Sequence, residues 1–312
     1  ALGELLIDFT CLSTDTDGYP TMAAHPGGAP ANYLAALTKF GAKTAMIGKV
    51  GNDAFGRLLI KTLKGTGIDT RGMLVSDDVF TTLAFVTLDD SGNREFSFAR
   101  KPGADTQLRF DEIDLGVIDA SKVLHFGTLS MTNEPARDAT YKAVEYAAGR
   151  GKLISFDPNL RKPLWNDLDE AKRQMLWGLR HADVVKISDE ETEFLFSLAP
   201  EESAKHIINS FGVRLVYVTC GAEGCFYRTK TASGFVKALS GIAVKDTTGA
   251  GDIFGGSAMY GLLRAGGVPE KLTAEELENI VSFACASAGL STTRAGGISS
   301  VAELIEVEAA MK

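Results

Sequence analysis

The segment KDTTGAGDIFGG (245–256) packs four glycines around one acid, Asp252, just ahead of a helical pattern. The first amides of a helix have no partner inside it, and they sit at the positive end of its dipole. Gly249, Ala250 and Gly251 could therefore hold an anion. A carboxylate is a poor guest in an anion site, so Asp252 needs a task of its own.

Other polar and glycine-rich signals fall at the ends of apolar runs. Asp8 ends the first run, Gly27 and Gly28 precede the first helical pattern, and Asp157, Asn159 and Arg161 close a later run. Ser188 to Glu191 and Thr219 to Gly221 close two more. In an open α/β sheet this is where ligands sit. The chain has no G-x-x-x-x-G-K-[ST], so it is not a P-loop protein. GAGDIFG only loosely matches the dinucleotide fingerprint and is followed mainly by helices. Metalloprotease and nucleophile-elbow motifs are absent, and the four histidines are isolated.

The elements that must position these residues alternate. LLIDF precedes PANYLAALTKFG, TAMIGKV precedes DAFGRLLIKTLKGTG, and KLISFDPNL precedes DLDEAKRQMLWGLRHA. Such spacing predicts βαβ units and a largely parallel sheet covered on both faces. After residue 246 the pattern turns helical. TTLAFVTLDD and NREFSFARK are period-2 runs joined by DDSGN, which reads as a β-hairpin. With the strand-like residues 10–25 it predicts a small sheet standing off the main one, as a lid or as a plain insert. No internal repeat, low-complexity tract or long linker interrupts the 312 residues, so a single domain with a β appendage is expected.

The composition is that of a soluble globular protein, with 45% hydrophobic and 23% charged residues. A net charge of −8 argues against nucleic acid or an anionic membrane as partner, so local groups must hold any anionic ligand. No apolar run is long enough to span a bilayer, and the sequence opens without a basic-plus-apolar leader. Cys11, Cys220, Cys225 and Cys285 are scattered and read as free thiols, which makes a cytosolic, cytoplasmic location the expectation.

GGAPANYLAALTKFGAKTAMIGKVGNDAFG (27–56) and DTTGAGDIFGGSAMY (246–260) resemble the two signatures of the PfkB-type carbohydrate kinases, the ribokinase family. Within it, GGAPAN, FSFARKPGAD, HFGTLS and DPNLRKPLW look most like fructokinases. The resemblance spans nearly the whole chain. It implies a ribokinase-like α/β fold with a β lid, lid strands within 10–25 and 80–101, and transfer of the ATP γ-phosphoryl to a sugar, D-fructose first. Asp252 would be the general base, and the amides of Gly249, Ala250 and Gly251 an anion hole for the transferred group.

The resemblance carries further roles. Asp8, Gly27, Gly28 and Asn32 match sugar-binding positions, and Arg100 matches an arginine reaching into the sugar site from the lid. Thr219, Gly221 and Gly224 match the ATP loop, Lys186 and Arg161 are candidate phosphate cations, and Asn279 and Cys285 fall at the adenine pocket. The family's N-x-x-E, tied to Mg²⁺, stands here as Ser188 and Glu191, which also form a capping-box pattern. Asp246 and Thr248, with carbonyls near Ser291, Arg294, Gly296 and Ser300, match a K⁺ site; the same residues also read as a tight turn. The lid leaves a homodimer open. A sister kinase for 2-keto-3-deoxygluconate, ribose or a nucleoside is the nearest alternative. A silent sugar- or nucleotide-binding protein would be expected to lack the acid or the glycines retained here.

Overall fold

The computed structural model describes residues 1–88 and 94–312. Its strands are β1 (Leu6–Thr14), β2 (Pro20–Gly27), β3 (Ala45–Gly51), β4 (Asp69–Ser76), β5 (Leu83–Leu88) and β6 (Arg94–Ala99). These are followed by β7 (Val123–Gly127), β8 (Leu153–Asp157), β9 (Val184–Ser188), β10 (Leu215–Thr219), β11 (Gly224–Arg228) and β12 (Ser233–Lys237). The early helices are α1 (Ala29–Lys39), α2 (Ala54–Thr66), α3 (Leu115–Asp119), α4 (Ala136–Gly149) and α5 (Leu168–His181). The later ones are α6 (Asp189–Phe196), α7 (Pro200–Phe211), α8 (Ala250–Arg264), α9 (Ala274–Ser291) and α10 (Leu304–Ala310).

The main sheet runs β12-β11-β10-β9-β8-β7, parallel from β7 to β10 and antiparallel beyond. The parallel pair β3-β4 joins it through Leu2, which bridges Ile47 on one side and Phe126 on the other. Period-2 alternation sends the central strands into two cores. Val184, Leu215 and Tyr217 pack with α1, α8 and α9, while Val185, Val216 and Val218 pack with α4, α5 and α7. This is the mostly parallel, doubly covered architecture that the alternation predicts.

The second sheet has the order β2-β1-β5-β6. The β5-β6 pairing is antiparallel from Leu83 opposite Ala99 to Leu88 opposite Arg94, and the expected DDSGN turn lies outside the described residues. The boundary of this sheet differs from the expectation in one respect. LLIDF was expected in the main sheet, but the chain contributes only Leu2 there and departs at Leu6 into β1. The burial of β1 fades along its length, from buried Leu6 and Ile7 to an exposed end at Cys11–Thr14. A central parallel strand would be covered on both faces throughout.

Candidate active site

Helix α8 begins where the sequence placed its amides. Gly249 is its N-cap with φ 74°, a left-handed conformation that suits glycine. A Cβ there would also lie 2.9 Å from Asn32 Nδ2. The first helical bond runs from Ile253 N–H to the Gly249 carbonyl, so the amides of Gly251 and Asp252 have no acceptor in that turn. The Ala250 amide differs: it donates to the Thr247 carbonyl at 3.3 Å. Of the three amides in the 249–251 reading, that of Ala250 is therefore the one already engaged within the turn.

Asp252 is only 8% exposed. Its Oδ2 accepts from Asn32 Nδ2 at 2.9 Å, and its Oδ1 faces Asn159 Nδ2 at 3.4 Å. Burial pushes its pKa up and Glu191 adds to this, while Lys186, the Asn32 hydrogen bond and Arg161 pull it down. A buried carboxylate held above its ordinary range is suited to taking a proton near neutral pH.

Two cavities meet at this helix start. One, of about 850 Å³, is lined by Glu4, Asp8, Gly28, Asn32, Arg161 and Asp252 among others, with Gly249 on the same wall. The other, of about 690 Å³, is lined by Lys186, Thr219, Gly221, Gly224, Ala250 and Gly251, with Cys285 on its α9 side. Ser188, Glu190 and Thr247 face both. The turn 249–252 thus gives Gly249 and Asp252 to one cavity and Ala250 and Gly251 to the other.

In the first cavity Asp8 sits against Gly27, where a Cβ would come within 2.2 Å of Asp8 Oδ2. Burial pushes the Asp8 pKa up to about 7; Arg161 opposes the shift, and Asp252 and Asp246 reinforce it. Gly28 caps α1 with φ 118°, and a Cβ there would strike the Glu4 carbonyl at 2.5 Å. Asn32 lines the cavity but is wedged: a Cβ on Gly297 would lie 2.2 Å from its Oδ1. Its amide supports Asp252, while its Oδ1 is buried without a partner. Arg161 lines this cavity and not the second one.

Two further readings take a different form in the structure. Arg100 follows β6, but it is buried in an ion pair with Asp105, at 2.8 Å from Nε and 2.6 Å from Nη2. It also donates to Thr132 Oγ1 and the Leu129 carbonyl, each at 2.8 Å. It therefore fastens the end of the hairpin to the loop after β7 and does not line the cavity. Asn279 is exposed on α9 and outside the second cavity. Helical spacing explains this, because Cys285, Ala288, Gly289 and Thr292 form the face that lines the cavity while Asn279 points elsewhere. Burial pushes the Cys285 thiol up to about 12.

Ser188 and Glu191 form the capping box, with Glu191 N–H donating to Ser188 Oγ at 3.2 Å and Ser188 N–H to Glu191 Oε2 at 2.8 Å. The other oxygen of Glu191 accepts from Leu160 N–H at 2.7 Å, so both are used by backbone. Lys186, 13% exposed at its side chain, pairs with Asp157 at 3.1 Å. Burial pulls the Lys186 pKa down, but Asp157, Glu191 and Asp252 together raise it above the ordinary value.

Asp246 Oδ1 accepts from Thr248 N–H at 2.9 Å and Thr248 Oγ1 at 2.7 Å, and its Oδ2 accepts from Gly296 N–H at 2.9 Å. The carboxylate thus ties the approach to α8 to the turn at Gly296, where φ is 83°. The Ser291 carbonyl accepts from Arg294 N–H, and Ser300 closes a turn on the Gly297 carbonyl. The guanidinium of Arg294 turns away, to Val301 and Glu306. No group of three metal-ligating side chains exists among the described residues.

Sequence reasoning assigned no role to Glu4 and Asn159, which line the first cavity, to Glu190, which lines both, or to Asp157 and Gly297 beside them. Asp157 and Asn159 were visible as a polar strand end, but Gly297 carries no local signal. The description pfkB family carbohydrate kinase matches residues 1–304. The chain belongs to the pfkB family of carbohydrate kinases.

Probable fructokinase-4 of Arabidopsis thaliana is 40% identical over 316 residues, covering 100% of this kinase and 96% of the relative. The Xylella fastidiosa fructokinase with bound ATP superposes with a TM-score of 0.91 at 30% identity, covering 99% of this chain and 96% of that one. A double-mutant fructokinase from Vibrio cholerae O395, bound to fructose, ADP and a potassium ion, gives 0.87 at 30% identity, covering 100% and 97%. No helix among the described residues of the kinase is long and apolar enough to cross a membrane.

Proposed function

We propose that this kinase transfers the γ-phosphoryl group of ATP to the primary hydroxyl of D-fructose, giving fructose 6-phosphate and ADP. The observation that carries the reading is the division of one helix start between two cavities. Asp252 faces the first, and the Gly251 amide and Lys186 face the second. A hydroxyl held in the first cavity would meet a phosphoryl group at the end of the second across the turn 249–252. Fructose is preferred because the relatives just described are fructokinases and the first cavity is lined by the Asp8 carboxylate and the Gly28 backbone, which suit paired hydroxyls.

Asp252 accepts the hydroxyl proton as the new O–P bond forms and the bond to ADP breaks. The amides of Gly251 and Asp252, with Lys186, stabilise charge on the transferred group. Gly249 supplies the left-handed turn that aims them, and Asn32 and Asn159 hold the carboxylate. Glu191 keeps the Ser188 and Leu160 backbone in place. Thr219, Gly221 and Gly224 border the nucleotide.

Mg²⁺ fits as an ion carried in with ATP. It keeps several waters and asks for one or two carboxylates besides phosphate, and the exposed Glu190 borders both cavities. Glu191 is spent on backbone and would act through Ser188 and solvent. When bound, the ion neutralises phosphate charge. K⁺ would reinforce the Asp246–Thr248–Gly296 tie, with carbonyls of the 291–300 segment around it. Closing the small sheet over the first cavity would exclude water and suppress ATP hydrolysis.

The test is coupled-assay turnover against fructose, ribose, 2-keto-3-deoxygluconate, glucose and adenosine, with K⁺ or Na⁺, and with Asp252→Asn alongside. Fructose should dominate, K⁺ should stimulate, and the variant should lose about 10³-fold or more in kcat. Preference for another sugar would overturn the substrate, and full activity of the variant would overturn the base.

A further inference from the structure

Asp157 ends β8 and is buried, yet it lines neither cavity. Its Oδ2 accepts from Lys186 Nζ at 3.1 Å, and its Oδ1 accepts from Asn159 N–H at 3.1 Å. These two partners stand on opposite sides of the reaction. The Lys186 ammonium lies beside the start of α8, 3.0 Å from where a Cβ on Gly251 would be, and lines the second cavity. Asn159 lines the first cavity and directs its Nδ2 toward Asp252 Oδ1. Its φ is 46°, a left-handed conformation that asparagine tolerates and that the hydrogen bond to Asp157 helps to hold.

We propose that Asp157 is a positioning residue for phosphoryl transfer, bracing Lys186 against the phosphoryl group and Asn159 against the base with one carboxylate. This rests on the assignment of Asp252 and Lys186 above. Stability alone gives little reason for the arrangement, since a buried ion pair costs desolvation that apolar residues of similar volume avoid. Burial pushes Asp157 up, and Glu191 and Asp252 do the same, with Lys186 as the opposing cation. The pair makes sense where a cation must stand among carboxylates at a fixed place.

The test compares Asp157→Asn, Lys186→Met and the double variant by kcat, by KM for fructose and ATP, and by thermal unfolding. Asparagine retains an oxygen for Asn159 but loses the charge that holds Lys186. Misplacement of this order should lower kcat by about 100-fold, with both KM values within about threefold of the parent. The double variant should match Lys186→Met within about twofold, because the interaction is already gone. If Asp157→Asn strands the lysine and unfolds, the double variant, which lacks the stranded charge, still decides. Full kcat in Asp157→Asn, or a double variant slowed well beyond Lys186→Met, would overturn the proposal. Asp252→Asn serves as control: if it too keeps full kcat, the base assignment has failed; if it is inactive while Asp157→Asn keeps full kcat, only the role of Asp157 has.

Discussion

The two cavities are built in different ways. Every residue lining the second falls between Lys186 and Thr292, while the first draws on residues from Glu4 to Asp252 and on both sheets. The second has a wall of Ala238, Leu239, Ile242, Val244 and Phe254, a surface suited to the flat face of a nucleotide base. In the first, polar groups are braced by distant segments: Glu4 Oε1 accepts from Ala29 N–H at 2.9 Å, Asn32 supports Asp252, and Glu191 holds Leu160. A contiguous stretch of chain can make a place to bind. Bracing Asp252 and the segments around it takes contacts across the whole fold.

This contrast predicts that equally small changes will act on different kinetic constants. The larger effect belongs to Gly297→Ala. Its methyl group would fall 2.2 Å from Asn32 Oδ1, so Asn32 must move and release Asp252. We expect kcat to fall by about 100-fold with KM for ATP unchanged; a rise in that KM with normal kcat would break the comparison. The smaller effect belongs to Gly289→Ala on α9, whose methyl group would lie 2.9 Å from Leu239 Cβ on the wall of the second cavity. Steady-state kinetics should show KM for ATP raised by roughly threefold to tenfold, with kcat and KM for fructose close to the parent. Alanine's helix propensity, about 0.5–1 kcal/mol better than glycine, should partly offset the crowding in thermal unfolding.

The same division marks how much was legible in the sequence. The start of α8 was readable because glycines, acid and helix lie within one short segment. The alternation of strands and helices gave the layers for the same local reason. Asn32 was expected at the site from the family resemblance, but its wedging by Gly297 and its bond to Asp252 are tertiary facts. Arg100 was expected at the sugar through the family resemblance alone, and Asp105, Thr132 and Leu129, which claim its donors, come together only in the fold. Asn279 misled because its helix phase relative to the cavity depends on how α9 packs. Ser188 and Glu191 supported two readings, and the capping box is the one whose hydrogen bonds form. β1 begins with apolar residues like a core strand, and its pairing with β2 and β5, together with its fading burial, shows that it leaves the main sheet.

The most direct measurement is a crystal structure of the kinase with fructose and a non-hydrolysable ATP analogue. The account predicts the fructose primary hydroxyl within about 3 Å of an Asp252 carboxylate oxygen, with the γ-phosphate at the amides of Gly251 and Asp252 beside Lys186. A sugar whose primary hydroxyl faces away from Asp252, or a γ-phosphate seated elsewhere, would contradict it.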